Sequence, residues 1–314
     1  MTAIATLTMN PAIDVNSGTE QLVANRKLRC DRPVREPGGG GINVARAVRR
    51  LGGSARAIFA VGGLTGARLT AMVAEDGIEA HPIEIAQETR EVVNVAERSS
   101  GSQFRFVMQG PSLRESEWQA VLETVRTLEP VPRYLVASGS LLPGVPDDFY
   151  GRLSHLAAER DIRLIVDTSG VPLRHAVGPG TFLIKPNLNE FRELSGSSGG
   201  AFSDFFLEGA AASLVAAGRT RAVVISMGAG GAIVATEQGS SRIAAPTVPV
   251  VSRIGAGDSM LAGIVLALER GASIEEAALF GVATGTAAVM TPGTQLCRRE
   301  DAERLHDEMR QRVV

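Results

Sequence analysis

The sequence predicts an α/β fold in which a mostly parallel central sheet carries helices on both faces. Two observations support this prediction. Short apolar, β-branched runs recur along the chain, and longer stretches with a helical spacing of apolar residues separate them. The candidate strands are 4–9, 55–61, 134–138, 164–167, 182–184 and 222–226. In a sheet of this kind, ligands bind beyond the carboxyl ends of the strands.

Helical spacing is clearest in four stretches between or after these runs. Their apolar faces are Ile42, Ala45, Val48 and Leu51; Trp118, Val121, Leu122 and Val125; Phe149, Leu153 and Leu156; and Leu261, Ile264, Val265 and Leu268. A further apolar stretch, 277–290, is interrupted by Gly281 and Gly285, so it predicts a buried helix and not a membrane span.

The composition is typical of a soluble globular protein, and we expect one domain over residues 1–314, of which 44% are apolar and 21% charged. The formal net charge of -2 argues against nucleic acid as a partner, because phosphate backbones require a basic face. The two cysteines form no CxxC pair, which excludes a zinc ribbon and favours a reducing compartment. The first residues lack the basic start and apolar stretch of a secretion signal, so we expect a cytoplasmic protein with no membrane partner.

Two segments interrupt the alternation and are expected to form a small β-lid at the edge of the sheet. Residues 15–35 carry many charges and no helical period, and residues 88–108 have the pattern of a hairpin with its turn at 99–102. A lid would exclude water from a reactive phosphoryl group. A plain surface hairpin is the alternative interpretation.

Several glycine-rich turns are present, but none of them matches the Walker A or the dinucleotide-binding motif. A Walker A loop needs a Gly-Lys pair, which the sequence lacks. The dinucleotide motif needs glycine at its first, third and sixth positions. Its sixth position is Ile233 when counted from Gly228 and Met260 when counted from Gly255, so a dehydrogenase has little support.

The turn Gly255-Ala256-Gly257-Asp258 is the main candidate for a catalytic site. It follows an extended, β-branched run at 247–254 and precedes a predicted helix. Small residues at a helix start let backbone N–H groups converge on an anion, and the helix dipole adds positive potential. Asp258 is then a candidate base for phosphoryl transfer, which needs only a weak base. The alternative is an ordinary strand-to-helix turn with an acidic residue.

The segment from Lys185 to Glu190 is a second candidate. Asn187 followed by Glu190 is a capping-box arrangement, and the same two side chains could hold Mg²⁺ directly or through waters. The two interpretations are compatible. Lysine occurs only at Lys27 and Lys185, which makes both candidates for roles that need a compact ammonium, with chance survival as the alternative.

A run of four glycines, Gly38-Gly39-Gly40-Gly41, precedes Asn43 at another predicted helix start. Glycines let the backbone approach a ligand closely. The amide of Asn43 both donates and accepts, which suits a sugar hydroxyl. A flexible linker into a helix is the alternative interpretation.

Taken together, these motifs resemble the PfkB (ribokinase-like) family of carbohydrate kinases over essentially the whole chain. The segments that resemble the family are Thr8-Met9-Asn10-Pro11-Ala12-Ile13-Asp14, Gly38 to Arg46, Ser138-Gly139-Ser140-Leu141-Leu142-Pro143-Gly144, Lys185-Pro186-Asn187 with Glu190, and Gly255 to Asp258. The resemblance implies a ribokinase-like three-layer α/β/α fold with a mostly parallel central sheet and a small β-lid. Within the family, Lys27-Leu28-Arg29-Cys30, Arg105-Phe106-Val107-Met108 and Gly293-Thr294-Gln295-Leu296-Cys297 resemble the 6-phosphofructokinase branch.

That branch implies transfer of the γ-phosphoryl group of ATP to O1 of fructose 6-phosphate, a step of carbohydrate metabolism, with Asp258 as base. For the sugar phosphate the resemblance implies Asp14, Lys27, Gly38, Gly39, Asn43, Arg90, Arg105 and Ser140. For ATP it implies Lys185, Asn187, Ser226, Gly228 and Gly231, with Asn187 and Glu190 at Mg²⁺. For a monovalent cation such as K⁺ it implies Ser252, Ile254, Ala288, Thr291, Gly293 and Gln295. It also implies a homodimer through the β-lid.

The chemistry of arginine independently favours a phosphorylated sugar. A guanidinium binds a phosphate monoester through two hydrogen bonds, and Arg90 and Arg105 both lie on the proposed lid hairpin. The nearest alternatives are a tagatose-6-phosphate kinase and a 1-phosphofructokinase, whose substrates differ in one hydroxyl or in the position of the phosphate. A non-catalytic sugar-phosphate sensor is a third alternative, against which the Asp258 turn and the magnesium motif argue.

Overall fold

The computed structural model describes residues 3–196 and 204–313. Its main sheet is built from the strands β1 (Ile4–Thr8), β4 (Arg56–Val61), β5 (Glu79–Glu84), β8 (Tyr134–Ser138), β9 (Arg163–Asp167), β10 (Thr181–Ile184), β11 (Ala222–Ser226), β12 (Ala232–Thr236) and β13 (Gly239–Ile243). They are arranged in the order β13-β12-β11-β10-β9-β8-β1-β4-β5. The seven strands from β11 to β5 are parallel, and β12 and β13 extend the edge in antiparallel pairing.

Two helical layers cover the faces of this sheet. The helices are α1 (Gly40–Arg50), α2 (Gly63–Glu75), α3 (Glu115–Thr127), α4 (Phe149–Glu159), α5 (Gly170–Ala176), α6 (Leu188–Leu194), α7 (Asp204–Ala216), α8 (Ala256–Glu269), α9 (Ile274–Val289) and α10 (Arg299–Val313). One apolar core joins the sheet to α1, α2, α8, α9 and α10, and a second joins its other face to α3, α4, α5, α6 and α7. The expected three-layer α/β/α fold is therefore confirmed.

A small sheet lies beside the main one, in the order β3-β2-β6-β7. Its strands are β2 (Ala12–Thr19), β3 (Val34–Gly38), β6 (Arg90–Glu97) and β7 (Gln103–Val107). Two of them extend beyond the predicted segment 15–35, because β2 begins at Ala12 and β3 ends at Gly38. Register and alternation bring six polar side chains to one face, which we call the cleft face: Asp14, Asn16, Glu36, Arg90, Asn94 and Arg105.

The structure differs from the sequence prediction in one segment and agrees with it in another. The run at 247–254 is irregular and forms no strand, whereas the apolar stretch 277–290 falls on the buried helix α9. Across residues 3–196 and 204–313, no helix combines the length and the apolar character that crossing a membrane requires.

Candidate active site

A cleft of about 270 Å³ opens between the carboxyl ends of β1, β8 and β9, the start of α8 and the cleft face of the small sheet. This is the edge at which parallel sheets bind ligands. The cleft brings together ten of the residues predicted from the sequence: Asp14, Gly39, Asn43, Arg90, Arg105, Ser140, Glu190, Ile254, Gly255 and Asp258.

Asp258 lies in the first turn of α8, facing the cleft. Gly255 precedes the helix in the left-handed conformation (φ 76°), which a residue with a side chain rarely adopts. The Asn43 amide donates a hydrogen bond of 2.9 Å to Oδ2 of Asp258. Burial raises the pKa of Asp258 to about 6, the charge of Asp167 contributes to this rise, and the bond from Asn43 opposes it. The carboxylate is therefore a stronger base than an exposed aspartate, yet it is still ionised at neutral pH.

Asp14 extends from β2 into the other side of the cleft. It is buried, and burial raises the pKa of its carboxyl group. Within the described residues, its Oδ1 accepts no hydrogen bond, although Nη2 of Arg105 lies 3.8 Å away. A Cβ at Gly38 would lie 2.6 Å from Oδ2 of Asp14, so the neighbouring strand must carry glycine there. A buried acceptor without a donor suits a sugar hydroxyl.

Two arginines of the small sheet reach the same cleft. Arg90 is held by the carbonyl oxygens of Met108 and Asn10, at 3.1 and 3.2 Å. Burial lowers the pKa of Arg90, and the nearby charge of Arg105 lowers it further. These two cations repel one another in the cleft, and an anion bound between them would relieve that repulsion.

Lys185 lies beneath the turn that precedes Asp258. It is 4% exposed, and its Nζ lies 3.2 Å from Oδ1 of Asp167. A Cβ at Gly257 would lie 3.7 Å from the same ammonium, which places this charge against the start of α8. The ammonium therefore adds positive potential where the helix N–H groups point.

The predicted capping box is present at the start of α6. Oδ1 of Asn187 accepts from the backbone N–H groups of Asn189 and Glu190, and Oε2 of Glu190 accepts from the N–H of Asn187. Burial raises the pKa of Glu190, which the charge of Asp167 raises further. Glu190 and Asp167 thus bring two carboxylates to one side of the cleft, which matches the few protein ligands that Mg²⁺ takes.

The residues predicted for ATP lie at the ends of the next strands and outside the cleft lining. Asn187 is bridged to Ser226 at the end of β11. Gly228 begins a short turn that ends at Gly231, and both have positive φ angles. The residues predicted for ATP are therefore adjacent to those predicted for the sugar phosphate, on the same edge of the main sheet.

The residues predicted for a monovalent cation come together in the loop before α8, in the last turn of α9 and in the loop that follows α9. Ser252 Oγ donates to the carbonyl oxygen of Gly293 at 2.7 Å. Thr291 Oγ1 lies 2.7 Å from the carbonyl oxygens of both Ala288 and Gln295. These oxygens are of the hard type that alkali cations bind. Ile254 joins these loops to the cleft.

Lys27 is a predicted site residue that the structure does not bring into this arrangement. It is exposed on the segment between β2 and β3 and does not line the cleft. Six other lining residues had no role in the sequence prediction: Asn10, Ser138, Gly139, Asp167, Thr168 and Ser169. The first three lie in segments that resemble the family. Ser138 and Asp167 end two correctly predicted strands, so the rule for strand ends could have identified both.

A kinase of small sugars needs a base beside the acceptor hydroxyl and positive groups for two anionic substrates. The cleft is lined by Asp258, a candidate base, and by Arg90 and Arg105. Lys185 lies outside the lining, against the start of α8. The fold and the cleft are those of a carbohydrate kinase.

More particularly, the chain belongs to the pfkB family of carbohydrate kinases, whose family model matches residues 5–301. It is 41% identical over 304 residues to ATP-dependent 6-phosphofructokinase isozyme 2 of Mycobacterium tuberculosis H37Rv (97% of this chain, 89% of the relative). It is 40% identical over 307 residues to the enzyme of the same name from Escherichia coli K12 (98% of each). A 1-phosphofructokinase of Borreliella burgdorferi is 31% identical over 303 residues (96% of each).

Solved structures of Escherichia coli phosphofructokinase-2 are similar throughout. They are 39% identical and cover 99% of this chain and 100% of their own. The TM-score is 0.94 for the complex with potassium, and 0.92 for both the complex with fructose-6-phosphate and the tetrameric inhibited form. Arabidopsis thaliana ribokinase, 18% identical with a TM-score of 0.75 over 98% of this chain and 99% of its own, shows the same ribokinase-like fold.

Proposed function

We propose that this protein transfers the γ-phosphoryl group of ATP to O1 of fructose 6-phosphate, giving fructose 1,6-bisphosphate and ADP. The observation that best supports this is the position of Arg90 and Arg105 opposite Asp258 in one cleft. A sugar held by a phosphate at the arginines would present its far end to the base. The name of the relatives at 40 and 41% identity agrees with this substrate.

Asp258 acts as general base in this proposal. The O1 hydroxyl donates its proton to a carboxylate oxygen of Asp258 as O1 bonds to the γ-phosphorus and the bond to ADP breaks. The N–H groups at the start of α8 stabilise the charge on the transferred group. Asn43 orients the carboxylate through its 2.9 Å hydrogen bond.

ATP and Mg²⁺ are assigned to the edge beside this cleft. The nucleotide would be bound by Lys185, Asn187, Ser226, Gly228 and Gly231. The metal would be held, directly or through waters, by Asn187, Glu190 and Asp167. When bound, Mg²⁺ neutralises charge on the phosphates. The loops at Ser252 and Thr291 would hold K⁺, for which their carbonyl and hydroxyl oxygens are suitable ligands.

A homodimer through the small sheet is proposed from its exposed apolar side chains. They lie on or directly after its two edge strands: Val34, Phe104, Phe106, Val107 and Met108. Light scattering after size exclusion should give twice the chain mass. Phe106→Asp should shift it toward the monomer, and Val171→Asp, at an exposed apolar residue of α5, should not. A tetramer at low ligand concentration would contradict the dimer.

Release of ADP, measured with fructose 6-phosphate, tagatose 6-phosphate and fructose 1-phosphate, tests the substrate. We expect the highest kcat/KM with fructose 6-phosphate. A higher value with fructose 1-phosphate would replace our assignment with the second candidate, which the 31% identical relative favours. Binding of a sugar phosphate without release of ADP would indicate a sensor.

A further inference from the structure

The carboxylate of Glu36 joins three parts of the molecule. Glu36 lies on β3, and its Oε2 accepts a hydrogen bond of 3.1 Å from Nδ2 of Asn16 on β2. The same oxygen accepts from the hydroxyl of Thr294, in the loop between α9 and α10. Its Oε1 accepts from Nη2 of Arg46 on α1 at 3.3 Å. One side chain thus connects the small sheet to a helix and to a loop of the main domain.

Arg46 is a rigid support for this connection. It is 5% exposed, and its Nε lies 2.6 Å from Oδ2 of Asp76 at the end of α2. Its Nη1 donates to the carbonyl oxygen of Pro37, the residue after Glu36, at 3.0 Å. A buried guanidinium already bound to two other groups loses little freedom when it binds Glu36 as the third, so it fixes the position of β3.

The connection continues across the small sheet. Nδ2 of Asn16 also donates to the Thr294 hydroxyl at 2.8 Å, and Oδ1 of Asn16 accepts from Nδ2 of Asn94 on β6 at 3.0 Å. Asn94 and Thr294 are buried, with 8% and 5% exposed, whereas Asn16 and Glu36 are partly buried. Loss of one member leaves buried partners unsatisfied, which makes such networks cooperative.

The proposed sugar-phosphate residues are the immediate neighbours of this network. Asp14 is paired with Glu36 in the register of β2 and β3, and Arg105 is paired with Asn94 in that of β6 and β7. When one residue of a strand is displaced, the residue opposite it on the paired strand moves too, because hydrogen bonds link the two backbones.

We infer that Glu36 is a positioning residue, which fixes the small sheet to α1 and to the α9–α10 loop and thereby holds Asp14 and Arg105 at the sugar-phosphate site. The inference rests on the proposed function, since it concerns binding of the sugar phosphate. Glu36 need not contact the substrate to play this role. The inference also makes the Thr294 hydroxyl part of the same device.

Steady-state kinetics of Glu36→Gln test this role. The amide keeps the shape of the side chain but removes the charge that pairs with Arg46. We expect KM for fructose 6-phosphate to rise about tenfold while kcat stays within about twofold, because binding geometry is lost and the base is not. Glu91→Gln is the control, because Glu91 is a partly exposed residue of β6 whose carboxylate lies 3.9 Å from Arg35, and it should leave both constants unchanged.

A double-mutant cycle tests the link to the loop. Thr294→Val should raise KM as Glu36→Gln does, and the double variant should raise it no further than either single variant. Thr294→Ser keeps the hydroxyl and should retain the wild-type KM. Additive effects, an equal rise in Thr294→Ser, or a fall in kcat without a change in KM would overturn the inference.

Hydrogen exchange of the substrate-free protein separates this inference from the proposed function. In Glu36→Gln, amides of β2 and β3 should exchange faster while those of β8 and β11 do not. Unchanged exchange in β2 and β3 would overturn the role of Glu36 even in an active kinase. If no sugar phosphate is a substrate, the proposed function fails, and the exchange result still decides whether Glu36 fixes the small sheet. A variant that does not fold is replaced by Thr294→Val in the same measurement.

Discussion

Asn43 and Asp258 are joined by a hydrogen bond of 2.9 Å between Nδ2 and Oδ2. The bond connects the first turn of α1 to the first turn of α8, two helices that enter the cleft from different parts of the chain. It favours the ionised form of Asp258, which burial disfavours. The basicity of the Asp258 carboxylate therefore depends on a residue of another motif.

The acid limb of the pH profile should reveal this dependence. For the wild type, kcat/KM should fall about tenfold per pH unit below about pH 6, because only ionised Asp258 accepts the proton. Asn43→Ala removes a bond that lowers the pKa of Asp258, so its acid limb should move to higher pH. A profile of kcat/KM against pH measures both. An unshifted limb in Asn43→Ala would mean that the bond does not tune the base.

Removal of the base should separate turnover from binding. Asp258→Asn keeps the size of the side chain but cannot accept the proton, so kcat should fall by about 10²–10⁴. The dissociation constant for fructose 6-phosphate, measured by calorimetry, should change little. Turnover near the wild-type value would exclude Asp258 as the base.

The same variant should change the pH dependence of stability. The pKa of Asp258 rises from its ordinary value of 3.8 to about 6 in the folded protein, so the folded state binds this proton more tightly. Wild-type stability therefore loses a contribution as pH rises from about 4 to 6, and Asp258→Asn has no such loss. Above about pH 7, the variant should be more stable by up to about 3 kcal/mol in urea unfolding. Equal pH dependence of the two proteins would show that this pKa is not raised.

Arg90 should act through the phosphate of the substrate. Arg90→Ala should raise KM for fructose 6-phosphate by about 10- to 100-fold, since a charged hydrogen bond to phosphate contributes about 1.5–3 kcal/mol. With unphosphorylated fructose, kcat/KM should be equal in the variant and the wild type. An unchanged KM for the phosphorylated sugar would mean that its phosphate binds elsewhere.

Gly39 should tolerate no side chain. Its φ is 113°, and a Cβ would lie 2.7 Å from Cγ2 of Thr8. Gly39→Ala should lower the free energy of unfolding by about 1–3 kcal/mol. Gly178→Ala is the control, because a Cβ at Gly178 meets no heavy atom within 4 Å. Equal stability of the two variants in urea unfolding would contradict a steric role for Gly39.

Much of the main domain was predictable because buried parallel strands are continuous apolar runs. Each of the six candidate strands overlaps an observed one, and the strand ends led to the cleft. The antiparallel edge was not found. The strand β13 is exposed along most of its length and carries Gly239 and polar residues, so it has no apolar pattern to detect.

The site was predictable where a motif supplies the residue and not where the fold does. Asp258 and Asn43 belong to short motifs and were expected in the cleft. Asp167 has no motif around it: its position at the end of β9 places it at the ligand-binding edge, but its ion pair with Lys185 and its effect on the pKa of Asp258 and Glu190 come from the fold. Long-range pairing also sets the start of β2, whose partner β6 lies far along the chain.

The glycines at the start of α1 limit how the enzyme could be redesigned. A methyl group at Gly40 would collide with Oγ of Ser138, and one at Gly41 with the carbonyl oxygen of Leu7. On this side of the cleft the backbone of the glycine run packs directly against β1 and the end of β8, so a side chain at these glycines would collide with its neighbours. A library for a different sugar phosphate should vary the small sheet around Arg90 and Arg105 and leave the glycine run intact.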